Sequence, residues 1–158
     1  MNTTLEFNAP KTLEDLVPKV LTTMTNLTAT PSRSGTPPAP GDRVSGTIGI
    51  AGDTVIGAVY IHLPEPLAHT IVNAMFGNPA GQPVSDGDLN DVVGELSNMI
   101  GGGFKSALCD AGCPCAMSTP SIIRGAYAIE VPQDLRAEIL HFTCQGHDFT
   151  VEVHIKLD

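Results

Sequence analysis

Basic residues are scarce in this chain of 158 residues. Lysine and arginine together number 8 against 17 acidic residues, so the net charge is −9, and the basic residues do not cluster. Nucleic acids and anionic membrane surfaces both recruit lysine and arginine. The charge balance therefore argues against both classes of partner.

Long apolar runs are also missing. No stretch approaches the roughly 18 residues that a membrane span needs. The segment MNTTLEFNAPKTLEDL has no basic stretch followed by an apolar one, so we expect no secretory signal. A cytoplasmic protein is the simplest expectation, and the length suits a single domain over residues 1–158.

The cysteines do not have the spacing of a standard zinc site. Cys109, Cys113 and Cys115 follow the spacing C-x3-C-x-C, whereas zinc sites use paired C-x2-C units, and Cys144 lies apart. Disulfide frameworks are rare in the cytosol. We expect small, soft residues between a helix and a strand, and no bound metal. A redox or metal sensor built on these cysteines stays open as an alternative.

The first helix is predicted from Thr12 to about Leu27. Apolar residues recur there at helical spacing, and Thr12 is a candidate N-cap with Asp15 three residues on. Pro18 lies inside the pattern, so it either kinks the helix or marks its first turn. Residues 30–42 are rich in proline, glycine and serine and are expected to form an exposed loop.

The middle of the chain predicts a hairpin and two helices. Residues 43–63 read as two strands around a turn at AGD, and the return strand is expected to be central because it is apolar on both faces. A second helix over Glu65–Phe76 is ended by Gly77. A third and longest helix begins with Ser85 or Asp86 as its cap.

Strands follow to the end of the sequence. Residues 116–131 predict one or two strands with a bend or bulge at Gly125, and the last two strands form a hairpin around Gln145 and Gly146. Hairpins pair antiparallel strands. The order therefore predicts an α+β fold with a mostly antiparallel sheet packed against long helices.

The third helix carries both a core face and a polar stripe. On a helical wheel, the core face contains Val92, Val93, Leu96, Met99, Ile100, Phe104 and Ala107, with Gly103 on the same side, where another element could pack close. The polar stripe lies opposite and consists of Asp91, Glu95, Asn98 and Gly102, flanked by Gly94 and Gly101. A glycine in a helix interior costs about 1 kcal/mol relative to alanine. A solvated face explains the acidic residues but not the glycines, so we predict that another protein approaches this face closely.

The pattern Asp91-x3-Glu95-x2-Asn98, followed by glycines and then by Pro120, resembles the signature of the CheC/CheX/FliY phosphatases. The segment GELSNMIGG is especially similar to CheX. SGTIGIAGDTVIGAVYIHLPEPLAHTIVNAMFG is similar to the strands and helix that precede the family's signature helix, and STPSIIRG to the strand after it. The resemblance covers most of the chain. A single Glu-x2-Asn unit favours a CheX-like member.

The resemblance implies a CheC-like fold and hydrolysis of the aspartyl phosphate on a CheY-like response regulator. Asn98 would orient the attacking water, and Glu95 would pair with a lysine of the regulator. Further partner contacts are implied for Asp91, Gly94, Gly101 and Gly102. Mg²⁺ would belong to the regulator, so no cofactor is expected on this chain. A homodimer joined through the sheets is implied as well.

Two other functions stay in view. The same helix face could bind a response regulator or a flagellar switch component without hydrolysis. An enzyme built on histidines is disfavoured, because no pair of nucleophile and base is readable around them. We expect surface positions or satisfied strand positions for His62, His69, His141, His147 and His154.

Overall fold

A computed structural model of the protein describes residues 7–32, 42–125, 127 and 129–158. The elements in these ranges are α1 Ala9–Thr25, β1 Ala29–Ser32, β2 Arg43–Gly52, β3 Val55–Pro64, α2 Glu65–Phe76, α3 Asp86–Asp110, β4 Cys115–Met117, β5 Ser121–Arg124, β6 Arg136–Cys144 and β7 His147–Leu157. The predicted α+β fold class is confirmed.

The strands form one antiparallel sheet in the order β1-β6-β7-β3-β2-β4, and β5 also pairs with β2. The return strand β3 lies between β7 and β2, which confirms that it is central. The turn between β6 and β7 is at Gln145 and Gly146, as predicted.

The strands β4 and β5 lie end to end along one edge of β2. Between them, residues 118–120 oppose only two residues of β2, so the chain bulges there. The Gly49 N–H donates to Ser118 Oγ at 2.9 Å, and the Gly49 carbonyl accepts from the Ser118 N–H at 2.9 Å. The bend predicted at Gly125 follows β5 directly, with a φ of +100°.

The prediction that Thr12 caps the first helix is wrong. Asn8 is the N-cap, and its side chain accepts a hydrogen bond from the Lys11 N–H at 3.0 Å. Thr12 instead donates its hydroxyl to the Asn8 carbonyl at 2.8 Å. Pro18 therefore lies inside the helix and not in its first turn, which holds Pro10.

The expected exposed loop over residues 30–42 is wrong at its beginning. Residues 30–32 belong to β1, which pairs with the end of β6 and has Pro31 opposite Phe142. Because β1 is the edge strand of the sheet, a proline without an N–H is tolerated there. Residues 33–41 lie outside the described residues.

The helix α3 packs very closely onto β2. A Cβ atom on Gly46 would lie 1.8 Å from Ser97 Oγ, and one on Gly101 would lie 3.0 Å from Ile48 Cγ2. A side chain at Gly46 would force the helix, the strand or Ser97 to shift, whereas one at Gly101 would require Ile48 to move by a few tenths of an ångström. Side chains alternate along a strand, so Gly46 and Ile48 face the helix, whereas Ser45 points to the opposite face of the sheet.

Candidate functional site

The helix α3 is anchored by its cap and by a long buried side. Ser85 Oγ accepts from the Asp88 N–H at 3.1 Å, which settles the two candidate caps in favour of Ser85. The buried residues are Leu89, Val92, Val93, Leu96, Ser97, Ile100, Gly101, Phe104 and Leu108. Two expected core residues, Met99 and Ala107, are only half-buried. The buried side of the helix includes Ser97 and Gly101 instead. The strand β2 covers these two residues, because Gly46 leaves room for Ser97.

The polar stripe faces away from this core. Asp91 and Glu95 are exposed, and Asn98 and Gly102 are half-exposed. Residues three and four apart on a helix have Cβ atoms about 5–6 Å apart, so Glu95 adjoins both Asp91 and Asn98. Within the described ranges, the side chains of these three residues make no hydrogen bond or ion pair. Their polar groups are therefore available to a partner.

The glycines of α3 fall into two groups. A Cβ on Gly102 would meet no atom within 4 Å, and one on Gly94 would make ordinary contact, 3.8 Å from Pro120 Cγ. By contrast, a Cβ on Gly103 would lie 2.6 Å from Leu16 Cδ1, which confirms that another element, α1, packs close there. Gly101 is buried against β2 and is not accessible on the helix surface. Its position therefore gives no support to the predicted contact with a partner.

The strand β5 and the bulge before it flank the stripe. Pro120 and Ile122 lie beside Gly94, so the distant proline of the signature pattern is next to the signature helix. At the end of β5, Arg124 reaches the start of α3. Its guanidinium donates to Asp86 Oδ1 at 2.8 Å, to the Asp86 carbonyl at 3.1 Å and to Asn90 Oδ1 at 2.8 Å.

Arg124 thereby fixes the N-terminal end of α3 relative to the sheet. Its hydrogen bond and its charge lower the pKa of Asp86. Arg124 was not among the site residues predicted from the sequence. No spacing in the sequence relates it to Asp86 and Asn90, because the contact joins residues more than 30 positions apart through the pairing of β5 with β2.

A second polar group, the buried network, lies on the other face of the sheet. It consists of Ser45, His62, Glu152 and His154. Ser45 Oγ lies 2.7 Å from His62 Nδ1, Glu152 Oε1 lies 3.6 Å from His62 Nε2, and Glu152 Oε2 lies 2.5 Å from His154 Nε2. The adjacent His62, and to a smaller extent the hydrogen-bonded His154, lowers the pKa of Glu152, although burial opposes this shift.

The buried network has the residue types of a hydrolytic triad, but a substrate cannot reach its serine. Ser45 is 0% exposed, and the Tyr127 hydroxyl lies 3.4 Å from the nitrogen of His62 that Ser45 contacts. A nucleophile must be reached by its substrate. The contact between Ser45 and His62 was not predicted, because it follows only from the hairpin register that places the two residues opposite each other.

The remaining histidines lie on α2, β6 and β7. His69 lies 3.5 Å from Glu65 on the surface of α2, and His141 and His147 are half-buried strand residues. The described part of the chain contains no group of three or more histidine, cysteine or acidic residues able to hold a metal ion. Of the helices described, none is both long and apolar enough to cross a membrane.

The family model for the chemotaxis phosphatase CheX matches residues 44–143. The chain belongs to the CheX family. The matched range contains α3 with its polar stripe, and also Pro120 and Arg124. No curated protein matches the sequence.

Solved structures of CheX-like proteins share this fold over nearly their whole length. The chemotaxis protein CheX from Vibrio vulnificus is 30% identical, with a TM-score of 0.79 over 95% of this chain and 97% of the other. A CheC-like protein from Shewanella sp. PV-4 is 29% identical, with a TM-score of 0.79 over 99% of both chains. CheX from Borrelia burgdorferi, solved with CheY, BeF₃ and Mg²⁺, is 21% identical, with a TM-score of 0.73 over 94% and 98%, which shows a shared fold.

Proposed function

We propose that this protein hydrolyses the aspartyl phosphate of a CheY-like response regulator. One observation carries the proposal: Glu95 and Asn98 lie side by side on an accessible helix face, and their side chains bond to no described residue. The CheX family match and the solved complex of a CheX with CheY support it.

The chemistry requires few groups from this chain. Phosphoryl transfer depends mainly on positioning and on charge stabilisation. In the proposed complex the regulator supplies the phosphoaspartate, a lysine and the bound Mg²⁺, so this chain contributes a water held in line with the phosphorus. The Asn98 amide both donates and accepts hydrogen bonds, and it does not titrate near neutral pH. It can therefore orient a water over a wide pH range.

Glu95 sets the register of docking. It lies one helical turn before Asn98, and its carboxylate has no intrachain partner among the described residues. An ion pair with the regulator's lysine, desolvated at the interface, gives both specificity and orientation. Asp91 lies one further turn away, at the rim, where it contributes long-range attraction.

The glycines without an internal steric role complete the surface. Gly94 and Gly102 lie beside Glu95 and Asn98, and neither is required to be glycine by packing inside this chain. Their lack of a side chain lets the loops of the regulator approach the helix backbone.

The test is the loss of label from phosphorylated CheY-like regulators in Mg²⁺, with and without this protein. Acceleration by the wild-type chain that vanishes in Asn98→Ala supports the proposal. No acceleration across a broad panel of regulators would overturn it. Binding of a phosphorylated regulator without turnover would then identify a non-catalytic binding module.

A homodimer joined through the sheets is part of the proposal. Within the described residues, β1 pairs with β6 only over His141–Cys144, so residues 136–140 form an outer edge. Sedimentation equilibrium should give twice the chain mass of 16.5 kDa, and a monomer at micromolar concentration would contradict the dimer. The cytoplasmic location and the single domain over residues 1–158 stay predictions.

A further inference from the structure

The cysteines at the end of α3 have no part in the proposed function. Cys109 lies in the last turn of α3 and is exposed, whereas Cys115 begins β4 and is half-buried. Cys113 and Cys144 are both buried. Cys109 and Cys115 are therefore the two thiols that solvent reaches.

The turn after α3 brings these two thiols together. Gly112, at a φ of +89°, reverses the chain, and the Cys113 N–H donates back to the last turn of the helix at 2.9 Å. Cys115 then pairs with Gly52 in the sheet. As a result, β4 packs against α3, and Cys109 lies close enough to Cys115 to raise the pKa of its thiol.

The two thiols have different environments. Burial raises the pKa of Cys115, the neighbouring Cys109 raises it further, and Lys105, one turn earlier on α3, partly opposes the shift. The thiolate is the reactive form of cysteine, and access to it decides which thiol reacts. The exposed Cys109 is thus the thiol that an oxidant meets first, and Cys115 is placed to resolve the product.

We propose that Cys109 and Cys115 are a redox modification site that forms a reversible disulfide with a hydroperoxide as the oxidant. The Cys109 thiolate attacks one peroxide oxygen, the O–O bond breaks, and hydroxide leaves, which gives a sulfenic acid on Cys109. The Cys115 sulfur then attacks the Cys109 sulfur, and the S–O bond breaks with release of water. The peroxide takes up the two electrons and two protons that the thiols lose. A dithiol reductant reverses the reaction.

This site is separate from the polar stripe. Cys109 lies 11 residues beyond Asn98, which is about 16 Å along the helix. The disulfide ties the C-terminal end of α3 to β4 and leaves Glu95 and Asn98 untouched. The proposal therefore stands or fails independently of the phosphatase activity.

The experiment exposes the full reduced chain to hydrogen peroxide and then alkylates it in denaturant. Two of the four cysteines should escape alkylation, and all four should react after treatment with dithiothreitol. Peptide mapping of the wild-type chain should join Cys109 to Cys115. Alkylation of all four cysteines after peroxide, or a bond from Cys109 to Cys113, would overturn the proposal.

Two variants sharpen the result. Cys115→Ser should form no disulfide and should accumulate a sulfenic acid on Cys109 that dimedone traps. Cys144→Ser is the control and should form the bond as the wild type does. A disulfide that still forms in Cys115→Ser contradicts the assignment, and the mapping of the wild-type chain decides the question if either variant fails to fold.

Discussion

The polar stripe of α3 and the buried network on the other face of the sheet are both groups of polar residues, but they differ in their partners. Ser45, His62 and His154 are each 4% exposed or less and form hydrogen bonds inside the chain. Glu95 and Asn98 reach solvent and bond to no described residue. A satisfied buried group supports the fold, whereas a polar group that no internal bond occupies can bind a partner.

The glycines show the same division. Gly46, Gly101 and Gly103 permit close packing inside the chain, because an added Cβ would meet a neighbouring side chain at 3.0 Å or less. Gly94 and Gly102 have no such neighbour. Helical glycines therefore point to an external partner only after internal packing has been accounted for.

Substitution in the buried network should affect stability and leave activity unchanged. His62→Ala leaves the Ser45 hydroxyl without its partner and the Glu152 carboxylate with His154 alone, so we expect a loss of about 3 kcal/mol in the free energy of unfolding. His69→Ala, on the surface of α2, is the control and should change it by less than about 0.5 kcal/mol. Urea denaturation measures both. If folded His62→Ala lost its activity toward the regulator, the network would belong to the active site.

The close contact between α3 and β2 gives the next largest effect. Gly46→Ala places a methyl group against Ser97, so the helix or the strand must shift, at a cost of about 1–3 kcal/mol. Gly49→Ala on the opposite face of β2 is the matched control, because its Cβ would lie at an ordinary 3.5 Å from Ser118 Oγ. Equal stabilities of the two variants would contradict this account of the packing.

Substitution of Gly102 separates folding from binding. Gly102→Ala adds a methyl group in open space on a helix, so the free energy of unfolding should rise by about 1 kcal/mol. The same methyl group should weaken binding of the phosphorylated regulator, measured by calorimetry. A more stable variant with unchanged affinity would show that Gly102 does not serve the partner.

The smallest expected effect is a loss of folding free energy at low pH. Because the folded state holds the pKa of Glu152 below 4.5, mainly through His62, its stabilisation is present above pH 4.5 and is lost as the pH falls through the lower folded pKa. The stability difference between wild type and Glu152→Gln should therefore shrink as the pH falls from 4.5 through the lower folded pKa. A difference that stays constant over this range would contradict the assignment.

The sequence predicted most elements because their signals are local. The bounds of α2 and the Ser85 cap of α3 rest on residues within one or two turns. The start of α1 was predicted too late, because Thr12 is a residue type that commonly caps helices. The N-cap is Asn8, and Pro10 lies in the first turn. The strand β1 was missed because Pro31 reads as a loop residue unless its place at the sheet edge is known.

The site was predictable only in part, for a related reason. A helical wheel identifies the face with Glu95 and Asn98. It contains no information about the neighbouring strand, so it does not predict that Gly46 lets β2 cover Ser97 and Gly101. The contacts of Arg124 and the buried network depend on strand pairing between distant segments. Such contacts require the register of the sheet, which residue patterns along one segment do not contain.

The most direct test of the central claim compares two asparagines of the same helix. Asn98 lies on the polar stripe, whereas Asn90 is exposed and bonds to Arg124. With saturating phosphorylated regulator, Asn98→Ala should lower the stimulated rate of dephosphorylation by roughly 100-fold or more. It should still bind the beryllofluoride-loaded regulator, and Asn90→Ala should keep the wild-type rate. A wild-type rate in Asn98→Ala would contradict the account.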